Sequence, residues 1–326
     1  MNKAILYIAV LTAFVLSSCT DNAPTVNLQI KSCAAMPSPR ASAASCALDG
    51  KGYVFAGRNA KDSYLNDLWQ YDPKTDTWKQ LSSCPGKARV KAVIAAYEGA
   101  LYLGLGFSGE KVYVDSCYLR DLWRYTPADD QWTRLKDSPF PNTVSGVPCI
   151  SDGRMYVLYS TGWSQSKDII YYDIENDQWC NIPDTGKRPG ACFGATGAPF
   201  SGRFFFGTGL TWKNTKQWYE VDITKDQWIS RASYPGKGRE LCASCATTDH
   251  IYLFGGRFFA GEHTGGEVFR EIMRYCVDTD QWEHCGEMPC GKSENMIAFC
   301  IDNIVYFGLG EDEKGTLHNT LYRIEK

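Results

Sequence analysis

The sequence predicts an all-β chain, a six-bladed β-propeller in which the N-terminal strand completes the C-terminal blade. Three observations carry this. Five segments repeat the same strand, turn and strand pattern: NDLWQYDPKTDTW (66–78), RDLWRYTPADDQW (120–132), KDIIYYDIENDQW (167–179), KQWYEVDITKDQW (216–228) and REIMRYCVDTDQW (270–282). Their closing tryptophans lie 54, 47, 49 and 54 residues apart, near the ~50 residues of a four-stranded blade. No segment keeps a helical period, whereas aromatic and β-branched residues alternate between Gly, Pro and Asp.

The elements follow in chain order. Met1–Lys3 is a short positive region, Ala4–Leu16 is apolar, and small residues follow, the layout of an export signal too short to span a bilayer comfortably. Leu16-Ser17-Ser18-Cys19 resembles the bacterial lipobox. The expected division is a signal peptide over 1–18, a lipidated tether over 19–24 with Cys19 as the acylated residue, and the propeller over 25–326. That division implies a cell-envelope protein held to the membrane by lipid alone, on the periplasmic side or at the cell surface.

Each repeat continues after its tryptophan through a loop containing proline, then a short apolar strand, a turn, and a strand ending on glycine, as in Gly52–Gly57, Leu101–Gly106 and Ile251–Gly256. Those glycines suit a close backbone approach or a positive φ. The last repeat stops at Leu321–Ile324 without its tryptophan strand. Ile30 precedes Pro37 by the same interval as Trp78 precedes Pro85, so the N-terminal strand within Thr25–Cys33 should fill that gap and remove the exposed edge.

The glycine-ended strand followed by Tyr and Trp at fixed offsets resembles the kelch repeat, over about residues 25–326, with one full double glycine at Gly255-Gly256. The resemblance implies radial blades whose tyrosine and tryptophan pack on a neighbour. Galactose oxidase is similar in its kelch propeller, but its copper site needs tyrosines and histidines that cannot be assigned here, so neither metal nor other cofactor is expected.

The 13 cysteines after Cys19 invite a disulfide reading in an exported chain. Cys46, Cys149, Cys245 and Cys300, however, each precede the turn into a new strand, and are expected as free thiols packed between blades in one repeated slot. Cys276 and Cys285 flank one hairpin and are the pair to test for a disulfide. The four histidines show no metal-ligand spacing.

A formal charge of −3 and the lack of a basic stripe exclude nucleic acid as a partner class. Candidate site residues lie in loops around the channel mouth. Arg40, Arg89, Arg188, Arg239 and Lys292 fall at matching offsets, with Asn142 in the third blade, and a ring of cations favours an anionic ligand. Because they recur, these side chains equally suit bonding to carbonyls and acids of their own blade. The individual loops 107–119 and 257–269 add Phe258, Glu262 and His263, and Trp163 and Trp212 lie outside the repeat pattern; aromatic faces beside acids suit sugars or a protein partner.

Two functions follow. One is a monomeric binding module presenting this face to a glycan or an envelope protein. The other follows from a resemblance to the sialic acid mutarotases, exported kelch propellers, and implies an epimerase or mutarotase of an acidic sugar, with Glu262 beside Arg239 or Arg188 as the acid and arginine. The lack of a catalytic constellation favours the binding module; an acid projecting into the channel mouth beside the arginine ring would favour the enzyme, whereas arginines all paired with carbonyls of their own loops would remove its support.

Overall fold

The computed structural model describes residues 23–109, 115–141, 143–158, 168–186, 188–190, 192–259 and 266–325. The export segment with Cys19, together with Asn142, Trp163, Glu262 and His263, lies outside the described residues.

Six antiparallel sheets stand around one axis, five of four strands and the first of five, since the short strand Arg40–Ala41 also pairs with Lys51–Asn59. The innermost strands are Ala44–Leu48, Val93–Tyr97, Val147–Ser151, Thr196–Phe200, Ala243–Ala246 and Ile297–Ile301, each touching both neighbours, the last closing on the first. Between each pair of adjacent sheets lies one apolar cluster, six in all. In the fifth-to-sixth interface Phe254 stacks on Phe307 at 4.3 Å, and Ile272, Val305 and Ile324 surround them.

The recurring aspartate explains the repeat. Asp76, Asp130, Asp177 and Asp280 all occupy left-handed turns, with φ of 47–53°, which Asp tolerates better than most residues. Each accepts the hydroxyl of its own repeat's tyrosine: Tyr71 at 2.7 Å, Tyr172 and Tyr275 at 2.6 Å, and Tyr125 more closely. Each also accepts a backbone N–H from the segment leaving the previous blade, at Ala34, Ser82, Lys136 and Ala232. The repeat tryptophan donates its indole N–H to the carbonyl of that same residue, at 2.8–3.0 Å. One Tyr–Asp–Trp unit therefore fastens two blades through hydrogen bonds that leave no buried donor unpaired.

The ring closes as expected: Gln29–Cys33 pairs antiparallel with Leu321–Glu325, Ile30 opposite Ile324. Thr25 also bridges His284 in parallel fashion, with Val26 N donating to the His284 carbonyl, so the segment before the closing strand adds an edge to the fifth blade.

All 13 described cysteines are free. Cys276 lies opposite Gln281, Tyr275 opposite Trp282 and Met273 opposite His284. Cys285 therefore sits about four positions along the hairpin from Cys276, roughly 13 Å at the rise of a strand, well beyond disulfide reach. Cys46, Cys149 and Cys245 share one slot, opposite Tyr53, Tyr156 and Tyr252, but Tyr306 faces Phe299 and Cys300 faces Val305. Cys300 is thus shifted by one residue and points to the other side of its strand.

Candidate functional site

The arginines that the sequence sets around the channel are clamps. Arg40 is fully buried; it donates to both Asp67 oxygens, at 2.8 and 2.9 Å, and to the Ala56 carbonyl at 3.0 Å. Arg89 does the same with Asp121, at 2.8 and 2.6 Å, and Leu105, and Arg239 with Glu271 and Gly255. In the fourth and sixth blades the slot holds Cys192 and Ser293, and the acid position holds Gln217 and Thr320. In the third blade the slot holds Thr143 while the acid position keeps Asp168, which accepts the backbone N–H of Asp184 at 2.9 Å instead of an arginine, so each of the three buried clamp arginines is paired. Lys292 stands one residue before the slot, exposed, and bonds Glu313 at 2.8 Å. Arg188 stands four residues before it and binds Asp226, at 2.7 and 3.0 Å, in the outer hairpin turn of the fourth blade. The five cations therefore do not form one ring at the mouth.

Two residues after each clamp the chain turns through positive φ, 54–61°, at Ser42, Lys91, Ser145, Gly194, Leu241 and Asn295. Five backbone hydrogen bonds run round these six positions in one sense, from Lys91 to Ser42, Ser145 to Lys91, Leu241 to Gly194, Asn295 to Leu241 and Ser42 to Asn295, at 2.8–3.2 Å. They make a narrow neck between the axial channel, of about 550 Å³, and a mouth cavity of about 420 Å³. The left-handed conformation costs each non-glycine residue about 1 kcal/mol, and the ring with its clamps offsets it.

Just above the neck, each blade pairs the residue after the clamp with the residue after its glycine-ended strand. The described pairs are Ala41–Arg58, Val90–Phe107, Phe193–Leu210, Glu240–Arg257 and Glu294–Glu311, and Val144 holds the corresponding place in the third blade. Gly256 permits the fifth pair: a Cβ there would come within 2.6 Å of the Glu240 carbonyl oxygen. The same slot is apolar in the second, third and fourth blades and charged in the first, fifth and sixth, so the mouth has an oily half and an ionic half.

In the ionic half, Glu240 and Glu294 are 4% and 6% exposed. Arg257 donates to Glu294 at 3.3 Å. Arg58 pairs closely with Glu311, which also accepts from Asn295 at 3.0 Å. Glu240 Oε2, Glu294 Oε2 and Arg257 Nε are buried without a protein partner. Burial pushes the Glu240 carboxyl up to about 7, against the pull of Lys91 and Arg257 and aided by Glu294. Burial likewise raises Glu294, opposed by Arg257, and lowers Lys91, opposed by Glu240, Glu294 and Glu311. An acid divided between its two forms at neutrality, beside an arginine, is equipped to give and take protons.

Of the residues singled out in sequence, Trp212 is 90% exposed at the tip of the fourth blade's loop. Phe258 lies half-buried in the hairpin Arg257–Phe259 with Gly266–Val268, under Lys237. Glu240, Glu294 and Lys91 escaped notice because they stand one or two residues after the clamp slot, and Arg58, Arg257 and Glu311 because they follow the glycine-ended strands, both of which read as scaffold. The signal that finds them is a fixed slot whose chemistry changes from blade to blade.

Two kelch families match parts of the chain: the KLHDC2/KLHL20/DRC7 Kelch-repeats domain over residues 11–159 and the Kelch motif over residues 238–289. Among curated proteins, Kelch-like protein 25 of Xenopus tropicalis is 25% identical over 262 residues, 78% of this chain and 42% of that protein. The chain spans about two fifths of the length of such Kelch-like relatives. N-acetylneuraminate epimerase of Yersinia enterocolitica is 26% identical over 303 residues, 85% of this chain and 72% of that one. The solved structure titled "Structure of YjhT" superposes with a TM-score of 0.73 at 17% identity, covering 90% of this chain and 99% of its own. Repeat, closure and likeness agree, and the chain is a six-bladed β-propeller of kelch repeats.

Proposed function

We propose that the protein takes an acidic sugar into the mouth cavity and interconverts its anomers by proton transfer. The observation that carries this is the pair of buried carboxyls, Glu240 and Glu294, flanking Arg257 with oxygens that no protein group occupies. Opening a cyclic hemiketal needs a base to take the anomeric hydroxyl proton and an acid to protonate the ring oxygen as its C–O bond breaks; reclosure on the other face reverses both steps. Glu240, present in both forms near neutrality, serves either role, and Arg257, bonded to Glu294, pulls that carboxyl down against its burial, so that the two carboxyls differ. On the oily half Val90 lines the mouth cavity and offers a wall for an apolar substituent. Support also comes from the curated relative named N-acetylneuraminate epimerase.

The test is saturation transfer between the anomer signals of N-acetylneuraminate. The protein should accelerate exchange over buffer, and Glu240→Gln should lose about 100-fold or more. Exchange at the buffer rate would remove the enzyme reading. The second reading, an interaction module for a glycan or envelope protein, is favoured by Trp212, whose exposed indole is of the kind that anchors partners; in that case Trp212→Ala should weaken capture of the partner while leaving the mouth intact.

We further propose that the protein is exported and anchored through Cys19, a reading that rests on the sequence of the first 19 residues. Labelling with a tritiated fatty acid should tag the wild type and not Cys19→Ala; equal labelling would contradict it.

A further inference from the structure

Lys91 is the basic residue of the neck. Its side chain leaves the second blade and lies across the opening, with Nζ 4.4 Å from the centroid of Phe193 ahead of the fourth blade. It lines both the channel and the mouth cavity. Among the described residues no ion pair joins it to a carboxylate, although Glu240, Glu294 and Glu311 all act on it electrostatically from the fifth and sixth blades. The next neck position is Ser145, whose Oγ is buried and has no partner and whose N–H donates to the Lys91 carbonyl. Lys91 thus faces both spaces and Ser145 faces the channel just inside the neck; an ammonium and a hydroxyl on neighbouring neck positions, with no ion pair or hydrogen-bond acceptor for either among the described residues, are the donors a carboxylate needs.

The surrounding acids oppose such a ligand unless their charge falls. Arg58 balances Glu311, Lys292 balances Glu313, and Asp312 stands at the rim, which leaves Glu240 and Glu294 sharing Arg257. Resting on the reading above, we propose that Lys91 and Ser145 form the subsite for the sugar's carboxylate and that this carboxylate enters together with one proton, taken up by the Glu240–Glu294 pair. Nothing is oxidised and no covalent bond to the sugar forms: ligand carboxylate and proton enter together and leave together, and the protonated oxygen donates to a sugar hydroxyl. The burial that raises both carboxyls supports the uptake.

Lys91→Leu is the informative variant, because Leu241 occupies the equivalent neck position in the fifth blade at φ 58°. With the full chain, titration calorimetry compares N-acetylneuraminate and glucuronate with their uncharged methyl esters, in two buffers of different ionisation enthalpy. The free acids should bind about tenfold more tightly than the esters, the increment of one charge-assisted contact. Up to about half a proton should be taken up at pH 7, rising toward one near pH 8 where the free carboxyl is ionised, and Lys91→Leu should erase the preference for the acid. Esters that bind as well as acids, a preference that survives Lys91→Leu, or binding without proton uptake would overturn the proposal. Charge-selective binding without anomer exchange would retain this subsite and remove the enzyme reading; no binding of either acid would remove both.

Discussion

Glu240 is held where its ionised form is costly, and that cost can be measured in stability. Its folded-state carboxyl titrates at about 7, above the ~4.3 of an unfolded chain, so folding favours the protonated form. Stability from this group is therefore full below about pH 4 and is lost as pH rises through 7. Glu240→Gln, which keeps shape and never ionises, should match the wild type at pH 4.5 and exceed it at pH 8 by up to about 3 kcal/mol, read from denaturant unfolding at the two pH values. A variant that is more stable and less active is the mark of a residue kept for chemistry. The clamps behave oppositely. Arg89→Met leaves the part-buried Asp121 without its cation, with the Trp123 indole N–H still donating to it, and should cost about 3 kcal/mol in the same assay, with little effect on ligand affinity in the fraction that folds. In sequence these two kinds of residue are confused, because the arginine that recurs draws the eye while the glutamate beside it does not. Arg40, Arg89 and Arg239 recur because each fixes the loop of its own blade; Glu240 and Arg257 break the pattern because one place in the ring has a separate task.

At the scale of the element, the Asp of the outer turn joins three separate groups. Asp280 accepts the hydroxyl of the buried Tyr275 and the N–H of Ala232, and sits at φ 53°. Asp280→Ala strands the tyrosine hydroxyl and puts alanine in the left-handed region, for a cost of about 2–4 kcal/mol; thermal unfolding of the variant checks it. The fourth blade shows what replaces the device: Val221 stands at the tyrosine position, and Arg188 takes the place of the backbone donor on Asp226. That substitution misled the sequence reading of Arg188, since a shifted arginine in a loop of variable length looks like a member of the ring. The inner-strand cysteines were legible as free packing residues, although Cys300 packs one position out of the slot that Cys46, Cys149 and Cys245 share. Burial pushes the Cys46 and Cys149 thiols up to about 12. Both should resist alkylation in the native state at pH 8 and react on unfolding, as mass spectrometry of trapped peptides will show.

Across the whole molecule, the fold was readable because one repeat unit, copied around an axis, leaves few topologies, and because the missing tryptophan strand at one end had its complement at the other. Removing residues through Cys33 deletes the strand paired with Leu321–Glu325, exposing a sheet edge and part of the fifth-to-sixth blade core that Val26, Leu28 and Ile30 cover; the truncated chain should aggregate on expression. The site was not readable because it belongs to no single repeat: Arg58, Lys91, Glu240, Arg257, Glu294 and Glu311 come from four blades and meet only after closure. Symmetry supplies six equivalent places above the neck, and the side chains divide them into an oily and an ionic half. A crystal of the protein soaked in N-acetylneuraminate tests that division most directly. The sugar should lie in the mouth cavity with Glu240, Glu294 and Arg257 within hydrogen-bond distance and its carboxylate toward Lys91, whereas density on the Trp212 face with an empty mouth would contradict the account.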